Sequence, residues 1–158
     1  PHTVRAIPSV HGKVFMGRVP FSGCIETIPS WPMRIWKFRH GQVLNWHLQI
    51  NGVSVVHIDS ADFVEEYLKN AKADILCLCA TGRKYRPSYV EDAIKLVRPK
   101  IVIVCHWDAF TTPIEEPAQL LPAIDLDGLI SEVRHHGCTP VILPFLGEFA
   151  YSVQPGLD

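Results

Sequence analysis

Two apolar runs, each stopping at a residue that metals favour, constrain this chain most. One is VSVVHIDS over residues 53–60, which halts at Asp59. The other is KIVIVCHWD over residues 100–108, which halts at His106. A continuous apolar run is the mark of a strand buried on both faces. A third such run, DILCLC over residues 74–79, lies between them. Segments with helical spacing separate the three. Residues 61–70 read as a helix with Phe63, Val64, Tyr67 and Leu68 on one stripe, capped by Ser60 or by Asp59. Residues 87–97 read as a second, opened by Pro87, with Val90, Ala93, Ile94 and Val97 inward. A third runs from Asp125 or Asp127 to His136 and closes at Gly137. Strand and helix in alternation argue for an α/β layered fold.

The flanks are simpler. Residues 3–7 read as a strand, residues 13–33 as a long irregular loop, and residues 34–40 as a strand by alternation. Residues 43–50 and 53–59 flank Asn51-Gly52, the strongest short-range signal of a type I′ hairpin. In its first arm Leu44, Trp46, Leu48 and Ile50 share one face. Residues 138–143 and 148–153 read as final strands. Residues 1–158 read as one domain. The strand begins almost at Pro1, an edge with no lead-in, which suggests processing or a part of something longer.

Fifteen basic residues against sixteen acidic ones give no electrostatic reason to expect nucleic acid or an anionic membrane. No apolar run reaches the ~18 residues of a transmembrane helix. Five cysteines, three of them inside expected strands, read as buried free thiols of a reducing, cytoplasmic compartment. A Cys77-x-Cys79 zinc pair is the sharper alternative, although zinc spacings usually leave two to four residues between cysteines.

Ligands in open α/β sheets sit beyond the carboxyl ends of the strands, where Asp59 and His106 stand. A carboxylate at the end of a buried strand is costly unless it is paired or metal-bound, and a helix cap is its bland role. Neutral imidazole is the commonest metal ligand, which suits His106. His11, after the first strand, becomes a third candidate ligand beside these two. Asp108 could orient His106, and Trp107 could line a pocket. Arg83, Lys84 and Arg86 could meet an anionic substrate or simply be solvated. A Cys105–His106 nucleophilic pair is disfavoured, because strand neighbours point to opposite faces.

In this order and spacing the motifs resemble the second half of the metallo-β-lactamase fold. IPSVHG at His11 resembles that family's isolated metal-binding His, VVHIDSADF its Gly-Asp-Thr-Gly segment, and IVIVCHWDAF its last metal His. The branch of ascorbate-phosphate lactonases and N-acyl phosphatidylethanolamine phospholipase D fits the layout best. The resemblance covers roughly residues 3–153. It implies the C-terminal part of an αβ/βα sandwich. It also implies a hydrolase acting on an ester, lactone or phosphodiester, with Asp59 and His106 catalytic and His11, Asp59 and His106 binding metal. In the intact family two zinc ions, ~3.5–4 Å apart, activate a water. His11 would bind the first, His106 the second and Asp59 both; iron or manganese are further candidates.

Two departures count. Ile58 and Ser60 stand where the family has Gly and Thr, and the His-x-His-x-Asp-His signature is absent from the chain. Alone, then, these residues would form at most one weak site with three protein ligands. Partners implied are a small-molecule substrate and either a missing N-terminal half or a second copy of the chain. Two rival readings remain open. One is a non-catalytic remnant serving as a binding or interaction module. The other is an unrelated α/β domain in which Asp59 is a cap and His106 structural.

Overall fold

The computed structural model describes residues 2–152, the side chain of Phe15 aside. It contains one six-stranded sheet: β1 (His2–Ser9), β2 (Val43–Ile50), β3 (Val53–Ile58), β4 (Ile75–Cys79), β5 (Ile101–Cys105) and β6 (Thr139–Val141). The spatial order is the chain order. The first two pairings are antiparallel and the last three parallel. Asn51 and Gly52 both have positive φ, 50° and 83°, which is the backbone a type I′ turn demands between β2 and β3.

Three crossovers join the parallel strands through α1 (Glu65–Leu68), α2 (Tyr89–Val97) and α3 (Leu126–His135). Right-handed crossovers that always step the same way across a sheet put every helix on the same face. The burial follows that rule. Val56 and Ile58, Leu76 and Leu78, and Val102 and Val104 are buried on the helix side with Val90, Ala93, Val97, Leu129 and Val133. The register lines them up, Val56 beside Leu76 beside Val102, and Ile58 beside Leu78 beside Val104.

Among the described residues the other face of the sheet carries no helix. One row across it is Leu48, Val55, Ile75 and Ile101; the next is Trp46, His57, Cys77, Ile103 and Val141. Most of these side chains are half-buried, and Trp46 is exposed. The chain is therefore an α/β protein of two layers with one apolar sheet face left open.

Three expected elements differ. The helix over residues 61–70 shrinks to Glu65–Leu68. Ser60 does not cap it, because its hydroxyl accepts from the Gly12 N–H at 2.8 Å. Asp62 turns back on the Phe63 N–H instead, a local bond that competes with helix. Residues 34–40 are not a strand: a single 3₁₀ turn, Ile35–Lys37, lies in a long loop, and Arg39 bonds the carbonyls of Trp36 and Phe38. Alternation without a neighbouring strand to pair leaves no ladder. Residues 148–152 hold no strand, and Val153 lies outside the described residues. The second helix starts two residues after Pro87, whereas the third begins as expected, with the Asp125 carboxylate accepting from the Gly128 N–H at 2.9 Å.

Leu78 is fully buried in the middle of β4. Leu78→Ala is expected to lower unfolding free energy by about 2–5 kcal/mol in urea titration, as large-to-small core changes do.

Candidate functional site

Because β1 and β3 flank the antiparallel β2, they run in the same direction as β4 and β5. The carboxyl ends of all four strands lie along one rim of the sheet. His11 follows β1, Asp59 follows β3 and His106 follows β5. The rim is therefore shared, although β2 separates the first strand from the third.

Asp59 and His106 follow the two strands that flank β4, whose last residue is Cys79. The Cys79 sulfur lies 3.6 Å from His106 Nδ1 and 3.6 Å from the Thr81 carbonyl oxygen. Burial pushes the Cys79 thiol up to about 12, and the nearby Asp59 carboxylate adds to the shift. It is a neutral thiol at ordinary pH and no nucleophile. With its proton given to the Thr81 carbonyl, the sulfur can accept from Nδ1–H of His106, and Nε2 of that ring then carries a free lone pair. Cys79, and not Asp108, is thus the orienting neighbour of His106. The backbone of His106 lies in the left-handed region at φ 54°. That conformation costs about 1–3 kcal/mol in a non-glycine residue. The Thr81 hydroxyl, donating to the His106 carbonyl at 2.6 Å, holds it there. Both groups at the strand ends are exposed.

Cys105 lies beside Cys79 in register but does not contact the imidazole of its neighbour. The neighbouring Cys77 thiol and burial push its thiol up, and its S–H donates to the Ile103 carbonyl at 3.6 Å. All five cysteines are free.

His11 is seated by its own backbone. Its Nδ1 lies 2.6 Å from the Gly12 carbonyl oxygen, which can only accept, so Nδ1 carries the proton and Nε2 is unprotonated in the neutral ring. The Gly12–Ser60 bond pins this turn against the residue that follows Asp59. Glycine is required there, since a Cβ on Gly12 would stand 2.9 Å from the backbone carbon of Ala61. The His40 ring stacks on His11 at 4.9 Å, a neighbour that no local pattern announces.

The basic loop after β4 is spoken for. Arg83 pairs with Asp125 and Glu132, and Arg86 with Asp62 and Glu65. Lys84 lies over the Tyr85 ring at 5.1 Å. His57 stands on the open sheet face between Trp46 and Cys77, away from the strand ends.

Among the described residues, no three His, Cys, Asp or Glu side chains are grouped so as to hold a metal ion. The rim brings His106 to the Cys79 thiol and His11 to the Ser60 end of the turn that carries Asp59, but it does not gather the three around one point. A metal does not fit these residues by themselves.

No protein-family model matches the chain, and no curated protein matches it. Among solved structures it is similar to a Thermotoga maritima protein proposed to be a Zn-dependent hydrolase of the metallo-β-lactamase superfamily, with 17% identity and a TM-score of 0.40. The match covers 60% of this chain and 47% of that one, so the chain spans about half the length of the structure it matches. No helix among the described residues is long and apolar enough to cross a membrane.

Two predictions come from this geometry. Ser60→Ala strands the buried Gly12 N–H and should cost about 1–3 kcal/mol in chemical denaturation. The second concerns pH. Folded Cys79 keeps its proton up to about 12, whereas the unfolded thiol loses it near 9.0. The folded state then holds more protons across that window, so this contribution is full below 9.0 and disappears as pH rises toward 12. Melting temperature should therefore fall more steeply with pH above 9.0 in the parent than in Cys79→Ala.

Proposed function

We propose that this chain is the C-terminal half of a metallo-β-lactamase-fold hydrolase of esters, lactones or phosphodiesters, and that it supplies His11, Asp59 and His106 to a metal centre completed by a facing half. The observation that carries the reading is the shared rim. Residues expected as ligands from three separate motifs follow three strands that end on the same edge. The open apolar face of the sheet supports it as well. A second sheet, from the rest of the protein or from a second copy, would cover that face and bring further donors to the rim. Zinc, with iron or manganese as alternatives, would supply the activated water in the completed site. The residues present here would contribute an imidazole with a free Nε2 at His11, an exposed carboxylate at Asp59 and an imidazole oriented by Cys79 at His106.

The ungrouped donors favour a second reading: a module that binds a partner through the open face and carries out no chemistry. Zinc titration separates the two. If the first reading holds, zinc is taken up where a second copy of the chain or the facing half completes the site, and His106→Ala and Asp59→Ala each lower that affinity by at least about tenfold. His135→Ala, at the far end of α3, leaves it unchanged. Zinc-dependent hydrolysis of a nitrophenyl ester or a bis(nitrophenyl) phosphate should disappear in the Asp59→Ala/His106→Ala double variant. No zinc uptake, with stability indifferent to chelator, assigns the chain to the interaction module.

A further inference from the structure

The connection between β1 and β2 holds a concentration of exposed apolar surface. Ile28 is 96% exposed, Trp31 81%, Trp36 63%, and Ile25 and Ile35 62% each. Phe21 and Phe38 are partly open beside them. Single exposed apolar side chains need no explanation, but seven in one loop do. The loop is nonetheless built. At its base the His40 N–H donates to the Phe21 carbonyl at 3.0 Å and the Gly41 N–H to the Gly23 carbonyl at 3.2 Å. The Phe21 and Phe38 rings meet edge to face at 6.1 Å. The backbone is tied while the large side chains stand in water.

Charge is separated along the same boundary. The chain as a whole is nearly neutral, yet Lys13, Arg18, Arg34, Lys37 and Arg39 fall between residues 13 and 39 with Glu26 as the one acid among them. The remainder of the chain is acidic. Arg34, Lys37 and Arg39 line a cavity of about 660 Å³. None of the three forms an ion pair among the described residues. The overall balance that gave no reason to expect an anionic membrane conceals a basic, apolar pole.

We propose that this loop is a docking surface for an anionic lipid bilayer. Ile28 and Trp31, with Trp36, would enter the boundary between headgroups and acyl chains, where Trp is favoured. Arg34, Lys37 and Arg39 meet lipid phosphates, their stems lying along the apolar side chains. Exposed aliphatic side chains such as Ile25, Ile28 and Ile35 have no work to do against a nucleic-acid backbone. Lys37 weighs against a protein partner, whose interfaces are depleted of Lys although enriched in Arg and aromatic side chains. The His40–His11 stack at the base of the loop brings the rim of the sheet to the membrane with it. The inference does not depend on Asp59, His106 or hydrolysis.

The test is flotation of the whole chain with phosphatidylcholine vesicles, with and without phosphatidylglycerol, at low and high salt. Binding should require phosphatidylglycerol, weaken with salt and shift Trp emission to the blue. Arg34→Gln/Lys37→Gln should weaken partitioning by about fivefold per charge, roughly thirtyfold in all. Ile28→Ser/Trp31→Ser should weaken flotation and shrink the emission shift, to which Trp36 still contributes, while leaving the melting curve unchanged, because both side chains are outside the core. Failure to float with phosphatidylglycerol would overturn the proposal. So would equal binding to both vesicles, indifference to both double variants, or capture by single-stranded DNA in preference to vesicles.

Discussion

Everything in this molecule follows from the handedness of three crossovers. Each parallel step, from β3 to β4 to β5 to β6, moves the same way across the sheet, and a right-handed connection admits one side only. The helices therefore gather on one face, the core forms there, and the other face carries no helix among the described residues. The same direction of travel sets the carboxyl ends of the strands along one edge. An edge of that kind is where a chain can mount polar groups without burying them, so the candidate chemistry and the core do not compete for space.

At that edge the local physics is dominated by a buried thiol. Cys79 occupies the place between a carboxylate and an imidazole, and burial keeps it neutral. A charged group there would either pair with Asp59 or repel it. A neutral, polarisable sulfur does neither, and leaves the two exposed groups to act outward. The strained backbone of His106 belongs to the same arrangement, since Thr81 and Cys79 together hold a conformation that an isolated strand end would abandon.

The sequence was most legible where one physical cause controlled the pattern. Continuous apolar runs marked β3, β4 and β5 because both faces of these strands are apolar, one under the helices and the other on the uncovered side of the sheet. Asn51-Gly52 marked the hairpin because few residues adopt two successive positive φ values. Asp59 and His106 were legible as strand-end residues for the same reason. What could not be read were bonds made across the chain. Ser60 looks like a helix cap, and only the arrival of Gly12, forty-eight residues away, gives its hydroxyl another partner. Cys79 as neighbour of His106 depends on strand register, which no local pattern encodes. Residues 34–40 alternate as a strand does, and their failure to pair is a fact about topology.

Arg86 shows how such a rim is kept in place from behind. Its guanidinium lies 4.0 Å over the Phe63 ring, bonds Asp62 at 2.6 Å and Glu65 at 2.9 Å, and reaches Asp92 of α2 at 3.5 Å. The segment that leaves β3 is thus fastened at one end by the sheet and at the other by a single planar cation with three acids around it. A lysine ammonium could satisfy the charge but not the fork or the stacking. The turn carrying Asp59 behaves as a short span fixed at both supports, the sheet and Gly12 on one side and Arg86 on the other.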